Sequence, residues 1–285
     1  MGGPATETSP PVGLIAAGGV LPFAVADEIV ARGQTPVLFA LKGICDPKPL
    51  ARFRHHWIGL GQLGNALKLL KAEGVRDLMF IGNLVRPAVS EIRIDWGTLR
   101  ELPYIWSAFR GGDDHLLSGV GRIFERHGFH MIGVKDVAPN LLVPEGHLTR
   151  SRPNDLVTGD IAKGLAVLRA MAPFDVGQAV VVIDGHVVAL EDIGGTDGLL
   201  ARVVRLRADR RIRSAAGRGV LVKAPKSGQD LRYDLPTIGP RTVEGLSAAG
   251  LAGVAVSAGY TLLADPQETV SAADRAGLFI TGVAA

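Results

Sequence analysis

The sequence has one cysteine, few aromatic residues and only a small excess of positive charge. Cys45 has no partner for an intramolecular disulfide, which fits a reducing compartment such as the cytosol. The formal net charge is +3, and no block of Lys and Arg is interleaved with aromatic residues, which argues against a nucleic-acid partner. Six arginines between residues 202 and 213 predict a solvated helical face, with weak contact to anionic lipid as the alternative.

Several signatures of catalysis and targeting are also missing. The seven histidines include no HxH or HxxxH pair, which argues against zinc. There is no GxSxG elbow and no GxxxxGK[ST] phosphate loop. The longest uncharged run, residues 245–264, carries four glycines and is better explained by a helix end and a buried strand than by a membrane span. Residues 1–11 lack the basic start of a signal peptide.

Length and composition predict a folded protein of two domains. At 285 residues the chain exceeds the usual size of a single core, and its 47% hydrophobic and 21% charged residues are ordinary for a globular protein. Three prolines and little periodicity predict a linker over 137–153. The predicted fold class is α/β, with an N-terminal Rossmann-like domain over 1–136 and a C-terminal mixed α/β domain over 154–285.

The first half begins with a strand, a glycine turn, a helix and a second strand. This order, with strands at 12–16 and 35–40, predicts a parallel sheet with right-handed crossovers. Gly18 and Gly19 would allow a phosphate to approach the N-terminus of the helix, although they also suit a simple tight turn. Because AAGGVLP is not GxGxxG and the second strand lacks the ribose-binding acid of that fingerprint, the sequence argues against a dinucleotide cofactor.

Other polar residues of the first half follow a strand or open a helix. Asn83 and Arg86 come after the strand at 77–81, on the side of an α/β sheet where ligands bind, so they are candidate substrate contacts or parts of a capped turn. Asp113 and Asp114 precede a helix predicted over 115–127. One of the two is predicted as its N-cap, with a contact to ligand as a second role.

In the second half, residues 179–190 predict a β-hairpin with its turn at Asp184–Gly185. Glu191 follows the hairpin, and Thr196 and Asp197 lie at the start of the next helix. These oxygen-bearing side chains predict a binding site, although Thr196 or Asp197 would cap that helix in any case.

The densest group of functional side chains lies in the loop after a short strand at 220–222. It contains three cations and two carboxylates among glycine and proline residues: Lys223, Lys226, Asp230, Arg232 and Asp234. Two carboxylates suit a hard cation such as Mg²⁺, and cations neutralise phosphate oxygens, so the loop predicts a phosphoryl-transfer site. The alternative is a solvated loop with incidental ion pairs.

Five segments in order resemble the LpxI-type UDP-2,3-diacylglucosamine pyrophosphatases of lipid A biosynthesis. They are GLIAAGGVLP, IGNLVRP, GGDDHLL, ALEDIGGTDGLLARV and VKAPKSGQDLRYDLPTIG, and the last is the most specific. Two local departures from the family pattern are Ala17, where a third glycine is more common, and Ser227, where proline is more common.

The resemblance implies a cytoplasmic enzyme in peripheral contact with the inner membrane, with substrate between two domains. It implies hydrolysis of UDP-2,3-diacylglucosamine, with Mg²⁺ or Mn²⁺, to UMP and 2,3-diacylglucosamine 1-phosphate (lipid X), by water attack on the sugar-side phosphorus. A nucleotide-binding regulatory module without catalysis is the alternative. The implied metal or water ligands are Asp230, Asp234, Asp197 and Glu191. The implied phosphate-neutralising cations are Lys223, Lys226 and Arg232. The implied substrate contacts are Gly18, Gly19, Asn83, Arg86, Asp113, Thr196 and Gln229.

Overall fold

The computed structural model describes residues 9–84, 94–108, 113–174, 176–226 and 229–284, with the backbone alone for 106–108 and 113–116. The chain forms two compact units. The first comprises Met1–Ala138 and Arg232–Asp234, and the second Pro139–Leu231 and Leu235–Ala285. Within the described ranges, no helix combines the length and the apolar character needed to cross a bilayer.

The first unit alternates strands and helices, as predicted. Its elements are β1 (Val12–Ala16), α1 (Leu21–Ala31), β2 (Pro36–Leu41), α2 (Pro47–Leu50), β3 (His55–Ile58), α3 (Leu63–Ala72), β4 (Asp77–Ile81), α4 (Trp96–Ala108), α5 (Asp113–Arg126), β5 (His130–Met131) and α6 (Val134–Val137).

The sheet of the first unit has the order β3-β2-β1-β4-β5, and its strand pairs are all parallel among the described residues. Leu14 of β1 lies beside Leu38 of β2 and Met79 of β4, and all three are fully buried because helices cover both faces. From β1 the chain adds strands first on one side and then on the other. The sheet therefore has a switch point between β1 and β4, where the carboxyl ends of the strands leave a crevice.

The second unit contains a larger sheet and helices on both of its faces. Its elements are β6 (Gly146–His147), α7 (Asp155–Met171), β7 (Ala179–Ile183), β8 (His186–Leu190), α8 (Gly195–Ala208), β9 (Val220–Lys223), β10 (Thr237–Ile238), α9 (Pro240–Ala248), β11 (Gly253–Ser257), β12 (Leu262–Leu263), α10 (Pro266–Arg275) and β13 (Phe279–Val283).

This second sheet is mixed, with the order β6-β13-β11-β9-β7-β8. Strands β9, β11 and β13 are parallel, whereas β7 runs antiparallel to β8 and β9. Alternate residues of β9 face opposite cores: Leu221 packs with residues of α8 and α9, and Val222 packs with residues of α7. The predicted hairpin is confirmed, and its turn residues Asp184 and Gly185 both have positive φ, as a tight two-residue turn requires.

The segment where the sequence predicted a linker, 137–153, contains regular structure. Its strand β6 pairs antiparallel with β13, and Leu148 N donates to Ile280 O at 2.9 Å. The three prolines do not prevent this pairing because Gly146 and His147 lie between Pro144 and Pro153. Contacts group this segment, from Pro139 onward, with the second unit.

Asp95 connects the N-termini of two helices in the first unit. Its carboxylate accepts hydrogen bonds from Gly64 N and Asn65 N in α3, and from Thr98 N and Thr98 Oγ1 in α4. Burial alone raises the pKa of the Asp95 carboxyl, but the hydrogen bonds from Thr98, Asn65 and Gly64 outweigh burial, so its pKa lies below the ordinary value. The ionised carboxylate therefore stabilises both helix starts.

We expect Asp95→Asn to lower the free energy of unfolding at pH 7 by about 1–2 kcal/mol, because the amide presents NH₂ to backbone donors. A lowered folded-state pKa stabilises the protein above the unfolded value and loses that contribution as the pH falls through the folded value. The difference between variant and wild type should therefore shrink in acid. Urea unfolding from pH 7 to pH 3 measures it.

Asp27→Asn is the matched control, because Asp27 forms an exposed ion pair with Arg52 at 3.1 Å, which contributes little. Equal losses in the two variants, or a loss at Asp95 that does not depend on pH, would contradict this account of the helix starts.

Candidate active site

In the first unit, the loops after β1 and β4 meet at the switch point. Gly18 N donates to Asn83 O at 3.1 Å, and Asn83 N donates to Gly18 O at 2.8 Å. The Asn83 side chain is exposed and lies beside Gly19, where an added Cβ would be 3.5 Å from Asn83 Nδ2. The structure thus brings together Gly18, Gly19 and Asn83, three of the predicted substrate contacts. Their binding role stays a prediction.

Two glycines make this edge possible through their backbone conformations. Gly19 has φ +89° and Gly82 has φ +107°, a region that side chains other than glycine rarely adopt. A Cβ at Gly82 would lie 2.7 Å from Gly18 O and 2.9 Å from Pro22 Cγ. Helix α1 begins immediately after the turn, and no side chain caps its N-terminus. Pro22 has no N–H and Phe23 N donates to Val20 O at 3.2 Å, so the first turn of α1 offers an anionic group fewer amides than helix N-termini generally do.

Two further predicted contacts of the first unit cannot be placed in this edge. Arg86 lies outside the described residues. Asp113 is the first residue of α5, which agrees with its predicted position at a helix start, but its side chain is also outside the description.

In the second unit, Lys223 ends β9 and is 6% exposed. Its ammonium donates to Thr196 Oγ1 at 2.9 Å and to the backbone oxygen of Thr237 at 3.0 Å. Strand pairing brings this region together: Lys223 lies beside Ala179 at the start of β7, and Glu191, the residue after β8, donates its N–H to Ala179 O at 2.9 Å. The predicted cation is thus a buried, hydrogen-bonded group at one edge of the sheet.

Glu191 lies at this edge and is 8% exposed. Its Oε1 accepts from Thr196 Oγ1 at 2.6 Å, and its Oε2 accepts from Gln178 N at 2.6 Å. Both oxygens are therefore engaged by protein donors. The metal role that the sequence suggested for Glu191 stays a prediction.

The other predicted metal ligand of this region, Asp197, forms an ion pair with Arg241 on the surface, with its side chain 62% exposed. Among the described residues, no three His, Cys, Asp or Glu side chains lie close enough to hold a metal ion together. The sequence also predicts Asp230 and Asp234 as metal ligands, and these two carboxylates lie four positions apart in the loop.

Reciprocal hydrogen bonds close the loop at Lys226 and Gln229. Lys226 N donates to Gln229 Oε1 at 3.0 Å, and Gln229 N donates to Lys226 O at 3.3 Å. Gln229 thus supports the backbone that carries Lys226 and Asp230, and both of these side chains are partly buried. The contact with substrate predicted for Gln229 stays a prediction.

Arg232, Tyr233 and Asp234 group with the first unit. Tyr233 is 9% exposed and packs in the core of that unit, with its ring centroid 5.6 Å from that of Phe80. Arg232 NH1 donates to Glu125 Oε1 at 2.8 Å and to Met131 O at 3.4 Å. Tyr233 therefore anchors this stretch, and its neighbours Arg232 and Asp234 remain partly exposed.

Sequence reasoning did not single out several groups of the site. Gln178 and Thr237 contribute through a backbone N–H and a backbone C=O, which every such residue carries, so no residue type could mark them. Tyr233 did carry a signal, because a large aromatic side chain in a charged loop needs an apolar partner.

We expect Gly82→Ala to destabilise the first unit by about 1–3 kcal/mol, because the new Cβ meets Gly18 O in a backbone conformation unsuited to alanine. Gly33→Ala is the matched control: Gly33 has φ +77° and nothing within 4 Å of an added Cβ. Chemical denaturation should show the larger loss at Gly82. An equal loss at Gly33 would mean that backbone strain alone, without the contact to Gly18, accounts for the effect.

Comparison with known proteins covers both units. Residues 11–141 match the family model of the LpxI N-terminal domain, and residues 144–281 match that of the LpxI C-terminal domain. The UDP-2,3-diacylglucosamine pyrophosphatase LpxI of Caulobacter vibrioides is 40% identical over 278 residues, which cover 95% of this chain and 97% of that protein. The chain therefore belongs to the LpxI family.

Proposed function

We propose that this protein is an enzyme that hydrolyses the diphosphate bond of UDP-2,3-diacylglucosamine. The products would be UMP and 2,3-diacylglucosamine 1-phosphate (lipid X), a step of lipid A biosynthesis. The observation that carries the proposal is the likeness over nearly the full length to a protein named for this pyrophosphatase activity. Both domain models match in order, so the likeness includes the charged loop and the glycine edge alike.

In this proposal the cations of the loop that follows β9 neutralise the diphosphate. The Lys223 ammonium is supported in that role by its burial and its two acceptors, since a preorganised charge needs little rearrangement as negative charge grows in the transition state. Lys226 follows three positions later in a partly buried loop. Arg232 has a planar guanidinium with five N–H donors, which suits phosphate oxygens as well as its carboxylate partner Glu125.

Glycines and backbone amides would bind substrate in the first unit. Gly18 and Gly19 leave the approach to the start of α1 free of side chains, and Asn83 presents an exposed amide beside them. Such an edge, at the switch point of a parallel sheet, suits the nucleotide part of the substrate.

We further propose that Asp230 and Asp234 hold Mg²⁺, or Mn²⁺, together with oxygens of the substrate. Mg²⁺ is commonly bound by one or two carboxylates plus substrate phosphates, so a pair of aspartates fits this metal without an all-protein cage. Bound there, the ion would polarise a phosphoryl oxygen. The same carboxylates could orient the attacking water.

Weak contact with the membrane surface is part of the proposal, because the substrate named for the Caulobacter relative carries two acyl chains. Exposed arginines on and after α8 support it, since cationic side chains are attracted to anionic lipid: Arg202, Arg205, Arg210, Arg211 and Arg213.

Asp230→Asn is expected to lower the turnover number by at least about two orders of magnitude, the scale for removing a key charged group from a catalytic site. Release of UMP from UDP-2,3-diacylglucosamine measures it. Asp209→Asn is the control, because Asp209 is exposed at the end of α8. Near-normal turnover in a folded Asp230 variant would remove this carboxylate from the mechanism. Binding of nucleotide by the wild type without release of UMP would favour the regulatory alternative.

Thorough treatment with EDTA should abolish hydrolysis, and Mg²⁺ or Mn²⁺ should restore it, because carboxylate oxygens are hard ligands. The assay compares UMP release before chelation, after chelation and after each metal is added back. Undiminished hydrolysis in the chelated protein would reject the metal. Orienting the attacking water would then be the remaining role of Asp230 and Asp234 in the proposal.

A further inference from the structure

A chain of buried hydrogen bonds joins three side chains of the second unit. Lys223 Nζ lies 2.9 Å from Thr196 Oγ1, and Thr196 Oγ1 lies 2.6 Å from Glu191 Oε1. The three residues come from the end of β9, the first turn of α8 and the residue after β8. Separate elements thus contribute to one continuous polar network.

The direction of each hydrogen bond in the network is determined by chemistry. An ammonium only donates, so Thr196 Oγ1 must accept from Lys223. An ionised carboxylate only accepts, so the hydroxyl proton of Thr196 must point to Glu191. The hydroxyl therefore bridges the two groups: it accepts from the Lys223 ammonium and donates to the Glu191 carboxylate. Its proton is not available to a substrate oxygen.

The Glu191 carboxylate is held in place by the backbone of the neighbouring segment as well as by Thr196. Gln178 N donates to its second oxygen at 2.6 Å. A Cβ at Gly177 would lie 2.5 Å from Glu191 Cβ, so that only glycine allows the two segments to approach this closely. Because Glu191 is 8% exposed, little water competes for its oxygens.

We propose that Glu191 and Thr196 are positioning residues that hold the Lys223 ammonium where it meets the diphosphate of the substrate. The inference rests on the proposed function, in which Lys223 neutralises that diphosphate. It gives Glu191 and Thr196 a joint role that replaces metal binding for the first and substrate contact for the second. Both residues act through Lys223 and need no contact with the substrate.

Thr196→Val tests the proposal, because it keeps the shape of the side chain and removes the hydroxyl. We expect kcat to fall about 10- to 100-fold, the effect of a small displacement of a reacting group, with a much smaller change in KM. Thr196→Ser restores the hydroxyl and should recover most of the activity. Thr281→Val is the matched control, because Thr281 is a buried threonine of β13 whose hydroxyl donates to Gly146 O at 3.1 Å. It should lose stability without losing kcat.

A double-mutant cycle separates positioning from a general structural effect. If Thr196 acts through the ammonium, Thr196→Val should add little to the loss already caused by Lys223→Met. Full additivity of the two losses would overturn the proposal, as would normal kcat in Thr196→Val. If Thr196→Val does not fold, Glu191→Gln tests the same network. The new amide presents NH₂ to one of the two donors of Glu191, so this variant should also have a lower kcat.

A measurement without substrate keeps this inference separate from the proposed reaction. In protein labelled with ¹⁵N-lysine, the Lys223 ammonium signal can be assigned by its loss in Lys223→Met. We expect it to be observed in wild type and Thr196→Ser, because a hydrogen-bonded buried ammonium exchanges slowly, and to be shifted or broadened in Thr196→Val. An unchanged signal in Thr196→Val would overturn the network. Absence of UMP release with the signal behaving as expected would reject the proposed reaction alone.

Discussion

A buried ammonium must find acceptors inside the protein, and Lys223 imposes this constraint on the second unit. An uncompensated charge away from water costs several kcal/mol, so the surrounding structure has to supply partners in fixed positions. Here the partners are a hydroxyl from the start of α8 and a carbonyl from β10. In the mixed sheet β9 lies beside β7, which places Lys223 near the carboxylate after β8 that orients the hydroxyl, whereas β10 pairs with β12 in a separate two-stranded sheet. The position of the Lys223 ammonium therefore depends on how the strands of the second unit are arranged.

The candidate binding edge of the first unit is built from backbone groups and not from a buried charge. Its predicted contacts at the switch point are two glycines and an asparagine, and the bonds that join them are between backbone groups. Positive φ at Gly19 and Gly82 allows the loops after β1 and β4 to pair where side chains would collide. In the proposed function, an edge of this kind would contact the ligand through its shape and its backbone groups. The charged side chains of the second unit supply a complementary kind of chemistry.

Much of the fold could be predicted from the sequence because periodic burial follows from residue order. The strand at 12–16, the helix at 155–171 and the hairpin at 179–190 lie where the pattern placed them. Helix α4 gave no such signal, because Pro103 lies inside it and its apolar residues Trp96 and Tyr104 are exposed. Strands β6 and β10 are two residues long, too short for any alternation to show. Periodicity reports burial and says nothing about pairing between distant segments.

The site was predictable in residue type and much less in role. A sequence shows that Glu191, Asp197, Asp230 and Asp234 carry oxygens, but it does not show which lone pairs are already engaged. In the fold, Glu191 accepts from Thr196 and Gln178, and Asp197 pairs with Arg241 at the surface. Such assignments depend on contacts between residues 5 to 44 positions apart, which neither spacing nor composition encodes. For this reason a count of acidic residues in a sequence does not give the number of metal ligands. Asp230 and Asp234 lie within the loop that also carries the cations, and their role as metal ligands belongs to the proposed function.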